Sequence, residues 1–166
     1  MTGAANDRRA APPHRRAAGR RLGEVSVNLV IVQVPGTPVA KGRPRFTRNG
    51  RTYTPEKTQT AEDALGYAMK QACPEPLKGS LKLGVTFAFP APKRWSKAKR
   101  DAIDEGAEPY YVGRPDLDNL LKLVKDAGNH ILWEDDAQIV DVEAVKVYSA
   151  DPGTTINLEV AAGEGA

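Results

Sequence analysis

Cysteine is nearly absent: Cys73 stands alone in 166 residues. An internal disulfide framework is excluded, and such thiol usage fits a reducing compartment, so a cytoplasmic location is expected. No apolar run approaches the roughly 20 residues that a membrane-spanning helix needs. The arginine-rich beginning has no apolar core behind it, so a secretory signal is not expected either. Histidine occurs only twice, and Ser and His are not placed for a triad. There is no P-loop, no GxGxxG and no nucleophile elbow. There are no internal repeats. With nucleophilic and dinucleotide chemistry removed, the inventory that remains is carboxylates, and it permits metal-assisted hydrolysis.

What is present is charge, unevenly placed. The formal net charge of +3 conceals two halves of opposite sign. Residues 1–24 hold six Arg against Asp7 and Glu24, residues 41–100 hold 14 Lys and Arg against 4 acids, and residues 101–166 hold 4 Lys and Arg against 15 acids. A basic half joined to an acidic half suits a protein that grips a polyanion with one part and cations with the other. The plain alternative is a dipolar surface with no partner.

The chain is organised around Arg114-Pro115-Asp116-Leu117-Asp118-Asn119-Leu120-Leu121-Lys122, followed by Glu134-Asp135-Asp136. Leu117, Leu120, Leu121, Val124 and Gly128 recur at helical spacing, which places Asp116 at the N-cap and Asp118 in the first turn. Lys122, four residues after Asp118, shares its face. Capping and a surface ion pair would account for these residues alone. Asp118, however, is not needed for the cap, and three consecutive acids at a strand entrance repel one another unless solvated or shared with a cation. Carboxylates with no His or Cys beside them suit a hard ion, Mg²⁺ or Mn²⁺, over zinc.

Around this stretch the pattern predicts one domain over 25–162, preceded by a disordered basic tail over 1–24 and followed by a frayed end at 163–166. Val25 to Val34 reads as a first strand. Lys41 to Tyr53 reads as a hairpin turning at Asn49-Gly50, with Lys41, Arg43, Arg45, Arg48 and Arg51 interleaved with Phe46 and Tyr53. That mixture suits phosphate gripping and base stacking. Thr54-Pro55 should open a helix with proline at N1, its stripe formed by Ala61, Ala64, Leu65, Ala68, Met69, Ala72 and Cys73. Leu81 to Phe89 alternates as a strand. Lys93 and Arg94 begin a second basic patch, and a short helix capped by Ser96 should anchor Trp95, Ala98, Ala102 and Ile103. His130 reads as a capping or surface residue. Ile139 to Tyr148 is a strand whose alternation slips near Ala144-Val145, where a bulge is expected, and Ile156 to Val160 should pair with it as a hairpin. Lys146 reads as an edge lysine that can face the site.

Together, Lys41-Gly42-Arg43-Pro44-Arg45, the Arg114–Lys122 motif and Asp135-Asp136-Ala137-Gln138-Ile139-Val140 with Lys146 resemble the RusA family, phage-derived bacterial endonucleases that resolve Holliday junctions. The resemblance covers roughly 26–161. It implies an α+β fold, a mixed β-sheet flanked by helices, assembled as a symmetric homodimer. It implies three essential aspartates at a Mg²⁺ site, matched here by Asp116, Asp118 and Asp136, with Mn²⁺ as a substitute. Lys122 matches the catalytic lysine, Asp135 a second acidic position, and Asn119 the motif amide supporting the ligands. The DNA contacts expected are Lys41, Arg43, Arg45, Arg48, Arg51, Lys93, Arg94 and Lys146.

The function expected is Mg²⁺-dependent resolution of four-way junctions in DNA recombination and repair. Two rivals come from other classes. A branched-DNA-binding protein without catalysis would ignore a chelator. A metal-dependent hydrolase of small nucleotides would show little salt dependence, unlike an enzyme that grips DNA.

Overall fold

The computed structural model describes residues 29–161 apart from 44, 47, 48, 50 and 51. The expected tail, residues 25–28 of the first strand, Arg48, Arg51 and the chain end therefore lie outside the described residues. The elements are β1 (Leu29–Pro35), β2 (Arg45–Phe46), β3 (Thr52–Tyr53), α1 (Glu56–Ala72), β4 (Leu81–Pro90), α2 (Lys97–Asp104), α3 (Leu117–Gly128), a 3₁₀ turn (Asp136–Gln138), β5 (Ile139–Ser149) and β6 (Gly153–Val160). This is an α+β fold with one mixed four-stranded sheet, in the order β1-β6-β4-β5. The short β2 and β3 pair antiparallel as the expected hairpin. Among the described residues no helix is long and apolar enough to cross a membrane.

β4 carries the clean alternation: Leu81, Leu83, Val85, Phe87 and Phe89 are buried. Its length lets it serve as a central strand with partners on both sides, antiparallel β6 and parallel β5. The expected β5–β6 hairpin is therefore wrong. β6 lies between β1 and β4, with both backbone edges paired and Thr154, Ile156 and Leu158 buried. β5, with exposed Asp141 and Glu143, suits an edge, where charge discourages further pairing.

The bulge is also misplaced in the sequence reading. The β4–β5 register runs unbroken through Ala144 and Val145, and its one irregularity falls opposite Leu81 and Lys82, where Val140 has no counterpart. The switch in valine parity has another cause: the far face of β5, acidic at Asp141 and Glu143, turns apolar at Val145 and Val147. Val142 and Ala144 share the face of Leu83 and Val85, while Val147 lies opposite Ala88 on the far face. There α2 packs on β5, and Ile103 and Val147 are buried outside the main core.

α1 and α3 cover the other face and meet each other. Leu65 and Met69 from α1 join Leu120, Leu123, Val124 and Ala127 from α3 over the sheet. Each of the Leu, Val and Met side chains contributes about 1.5–3 kcal/mol by burial. α1 begins one residue later than expected, with Pro55 itself at the N-cap and no side-chain cap. Ala64 and Ala72 of its expected stripe are exposed, as are Ala98 and Ala102 of α2: the buried stripe of each helix is narrower than the sequence pattern. Ser96 does cap α2, accepting from the Lys99 N–H at 3.4 Å. Trp95 is half-buried, edge-on to Tyr148. Cys73 is buried as expected, its thiol donating to the Glu75 carbonyl. Burial pushes that thiol above its usual range, which keeps it unreactive.

Trp133 is fully buried against the end of α3. A Cβ on Gly128 would sit 2.5 Å from its ring, so the glycine is what allows the indole to lie against the helix. His130 follows the helix, exposed and at φ 62.

Candidate active site

α3 presents the motif. Asp116 occupies the N-cap, yet its side chain makes no cap hydrogen bond, so capping does not account for this carboxylate. Asp118 follows in the first turn, and both are exposed. Lys122 is exposed too, and among the described residues the ion pairs do not include an Asp118–Lys122 bridge. The surface-pair explanation is thus not realised. Among the described residues, Asp116 and Asp118 at the start of the helix, where the peptide dipoles favour negative charge, and Lys122 one turn on from Asp118 take part in no side-chain ion pair.

The loop before Asp116 is held from β5. The Lys146 ammonium donates to the Gly113 and Pro115 carbonyls, both at 2.8 Å, and lies 5.3 Å from the Tyr111 ring centre. The Tyr111 hydroxyl donates to the Arg114 carbonyl, and its backbone N–H donates to the Lys146 carbonyl. The Arg114–Pro115 peptide bond is cis. Lys146 therefore faces the site, but as a clamp on the backbone that presents Asp116. Tyr111 had no signal in the sequence; only its place along the edge of β5 reveals it.

Lys41 has a similar fate. Its ammonium pairs with Glu62 of α1 at 2.8 Å and Asp126 of α3 at 2.9 Å, and its N–H donates to the Asn119 carbonyl at 2.9 Å. Burial alone would lower its pKa, but the hydrogen bonds to Glu62 and Asp126 and their charges outweigh it and raise the value. Stability from a raised lysine is complete below its ordinary 10.5 and lost only as pH climbs through the folded value, so the tie persists across neutral pH. Lys41 pins the base of the basic hairpin to the motif helix. Arg43 next to it is exposed, as is the aromatic Tyr53.

Asp135 and Asp136 form a turn. Asp135 accepts from the Ala137 N–H at 2.7 Å, and the Gln138 side chain closes a capping box. Gln138 also donates to the Leu77 and Gly79 carbonyls, so this glutamine holds the acidic turn against the start of β4. The D-x-x-Q spacing is a capping signal that the reading of the sequence above did not use. Asp136 accepts from the Trp133 indole N–H at 2.9 Å and pairs with Lys125 at 3.3 Å. Lys125 is two turns along α3 from Asp118, on the same face, about 10 Å down the axis. Asp136 thus shares the face of Asp118 and Lys122 without meeting them. Among the described residues no three His, Cys, Asp or Glu side chains converge as an ion site. The donor chemistry of Asp116 and Asp118, exposed oxygens with no nitrogen or sulfur ligand, fits a hard divalent ion. The third carboxylate is held elsewhere by an indole and an ammonium.

The second basic patch is exposed at Lys93 and Arg94. Lys99 covers the Trp95 ring at 3.6 Å, and Arg94 borders a cavity shared with Tyr111 and Gly113.

Against known proteins, residues 35–159 match the family model described as Endodeoxyribonuclease RusA. An uncharacterised protein of Bacillus subtilis strain 168, YqaN, is 36% identical over 133 residues, covering 76% of this chain and 92% of YqaN.

Proposed function

This chain belongs to the RusA endodeoxyribonuclease family, and from that premise we propose that it is a divalent-metal-dependent endonuclease resolving four-way DNA junctions by paired nicks, in recombination and repair. The observation that carries the reading is the pair of exposed carboxylates at the start of α3, Asp116 making no cap bond, beside Lys122 and within reach of two basic patches. A bound Mg²⁺ or Mn²⁺ would supply a water of lowered pKa and neutralise charge on the scissile phosphate. Asp116 and Asp118 would hold it, joined by Asp136 once that carboxylate leaves Trp133 and Lys125. Lys122 stabilises the charge that develops on the phosphate oxygens. Asn119, whose carbonyl receives Lys41, keeps the hairpin in register with the site. Arg43, Arg45, Lys93 and Arg94 hold the DNA arms. A symmetric homodimer would set two such sites on strands of like polarity.

The test is a labelled four-way junction against a linear duplex of the same sequence, with Mg²⁺ and with chelator. Symmetric nicks in the junction alone, lost with chelator and falling steeply with salt, are expected. Junction binding without any cutting in Mg²⁺ or Mn²⁺ would leave a binding protein in place of the nuclease.

Lys146 offers a separate check. Lys146→Met leaves the Gly113 and Pro115 carbonyls without their donor and should cost about 2 kcal/mol of stability. Because it shifts the backbone of Asp116, single-turnover cleavage should drop on the order of 10- to 100-fold, with junction affinity held within about threefold. Cleavage at the wild-type rate would remove Lys146 from the site.

A further inference from the structure

Beside the loop that carries Asp116 lies a concave pocket of about 370 Å³, walled by Thr37, Phe89, Arg94, Tyr111, Gly113 and Tyr148 among others. It opens where parallel β4 and β5 end, the end of a parallel pair at which departing loops leave room for ligands. One wall is an aromatic stack. Phe89 and Tyr111 lie face to face with centres 4.0 Å apart, Tyr148 meets Tyr111 edge-on at 5.0 Å, and Trp95 meets Tyr148 at 4.5 Å. The exposed Arg94 and the exposed Thr37 complete the lining.

The pocket is mechanically part of the site. Tyr111 donates to the Arg114 carbonyl, and Lys146, above the Tyr111 ring, grips Gly113 and Pro115. Gly113 stands three residues before Asp116, so the two are at most about 11 Å apart along the chain. At about 3.4 Å of rise per nucleotide, that distance is two to three nucleotides.

The volume sits at the low end of small-ligand sites, about 300–1,000 Å³, and is too small for a duplex. Aromatic walls with one arginine in the lining match a flat heterocycle joined to a phosphate. Resting on the nuclease reading, we propose that this pocket receives a single unstacked DNA base within about three nucleotides of the scissile phosphate, and that this contact sets the base preference of cleavage. Tyr111 and Tyr148 wall the base, and Arg94 holds the adjoining phosphate. Extrusion costs least where stacking is already broken, as at the crossover of a junction. The same pocket therefore couples sequence choice to branch recognition.

The test uses the full chain and junctions that vary the base at each of the three positions flanking the crossover. 2-Aminopurine at the same positions reports unstacking in the presence of chelator. Wild type should spread its cleavage rates about tenfold or more across bases at one position, and the fluorescence there should rise on binding. Thr37→Trp, which fills the exposed mouth, and Tyr148→Leu, which removes an aromatic wall, should narrow that spread to below about threefold and abolish the rise. If Tyr148→Leu fails to fold, Thr37→Trp decides alone. A folded Thr37→Trp that keeps both the spread and the rise overturns the assignment. So does a wild type that cuts junctions with no base preference. A wild type that neither binds nor cuts junctions defeats the nuclease reading itself.

Discussion

Asp118→Asn should lower metal-supported junction cleavage at least about 100-fold while leaving junction affinity equal or tighter. The asparagine keeps the shape and the place in the first turn of α3 but removes one negative charge. A neutral amide is a weak ligand for a hard divalent ion, which prefers anionic oxygen. If the proposed reading holds, a phosphate approaches this carboxylate, and its removal relieves repulsion in the bound complex. Because Asp118 is exposed, the substitution should leave melting within about 1 kcal/mol of wild type. The measurement is single-turnover cleavage together with gel-shift affinity in chelator. Loss of binding with unaltered cutting would contradict the assigned role, and so would a variant fully active in Mg²⁺.

Trp133→Ala should remove about 3–5 kcal/mol of stability, lowering the midpoint of thermal unfolding by roughly 6–20 °C. The indole is fully buried, lies against Gly128 of α3 and donates to Asp136. Truncation opens a cavity at the end of the motif helix and leaves the acidic turn without its anchor. Trp133→Phe separates the two contributions: it retains most of the ring volume, costs less, and releases Asp136 from its hydrogen bond. A Trp133→Ala protein that melts within about 2 °C of wild type would show that the indole does not hold α3 and the turn together.

Much of the local geometry of the candidate site was legible because its signals are local. The leucine spacing of α3, the position of Asp116 before it and the same-face relation of Asp118 and Lys122 all lie within a few residues of one another. The alternation of β4 is equally local. The errors have a common source. β5 and β6 are consecutive and separated by a turn, and a hairpin is the economical reading of such a pair. Which strand stands beside which is decided by the face that must be covered on each. β6 is buried along its inner face between two neighbours, and β5 carries acids suited to an edge. The valine slip in β5 looked like a bulge because a strand with one buried face was assumed, whereas α2 covers part of the second.

Residue identity and spacing alone determined the motif helix, the carboxylates it offers, the division of charge and the likeness to a nuclease family, since helical and strand periodicity are written into near neighbours. Tertiary structure decided what each charged group does. Lys41 reaches 21 residues along the chain to Glu62, and Lys146 reaches 31 to Pro115. Both become ties within the fold. Asp136 is drawn to Trp133 and Lys125 instead of to Asp118. A charge in a sequence has no partner until folding brings distant chain to within about 3 Å of it, and for that reason the pocket beside Asp116, assembled from four separate segments, had no counterpart in the sequence.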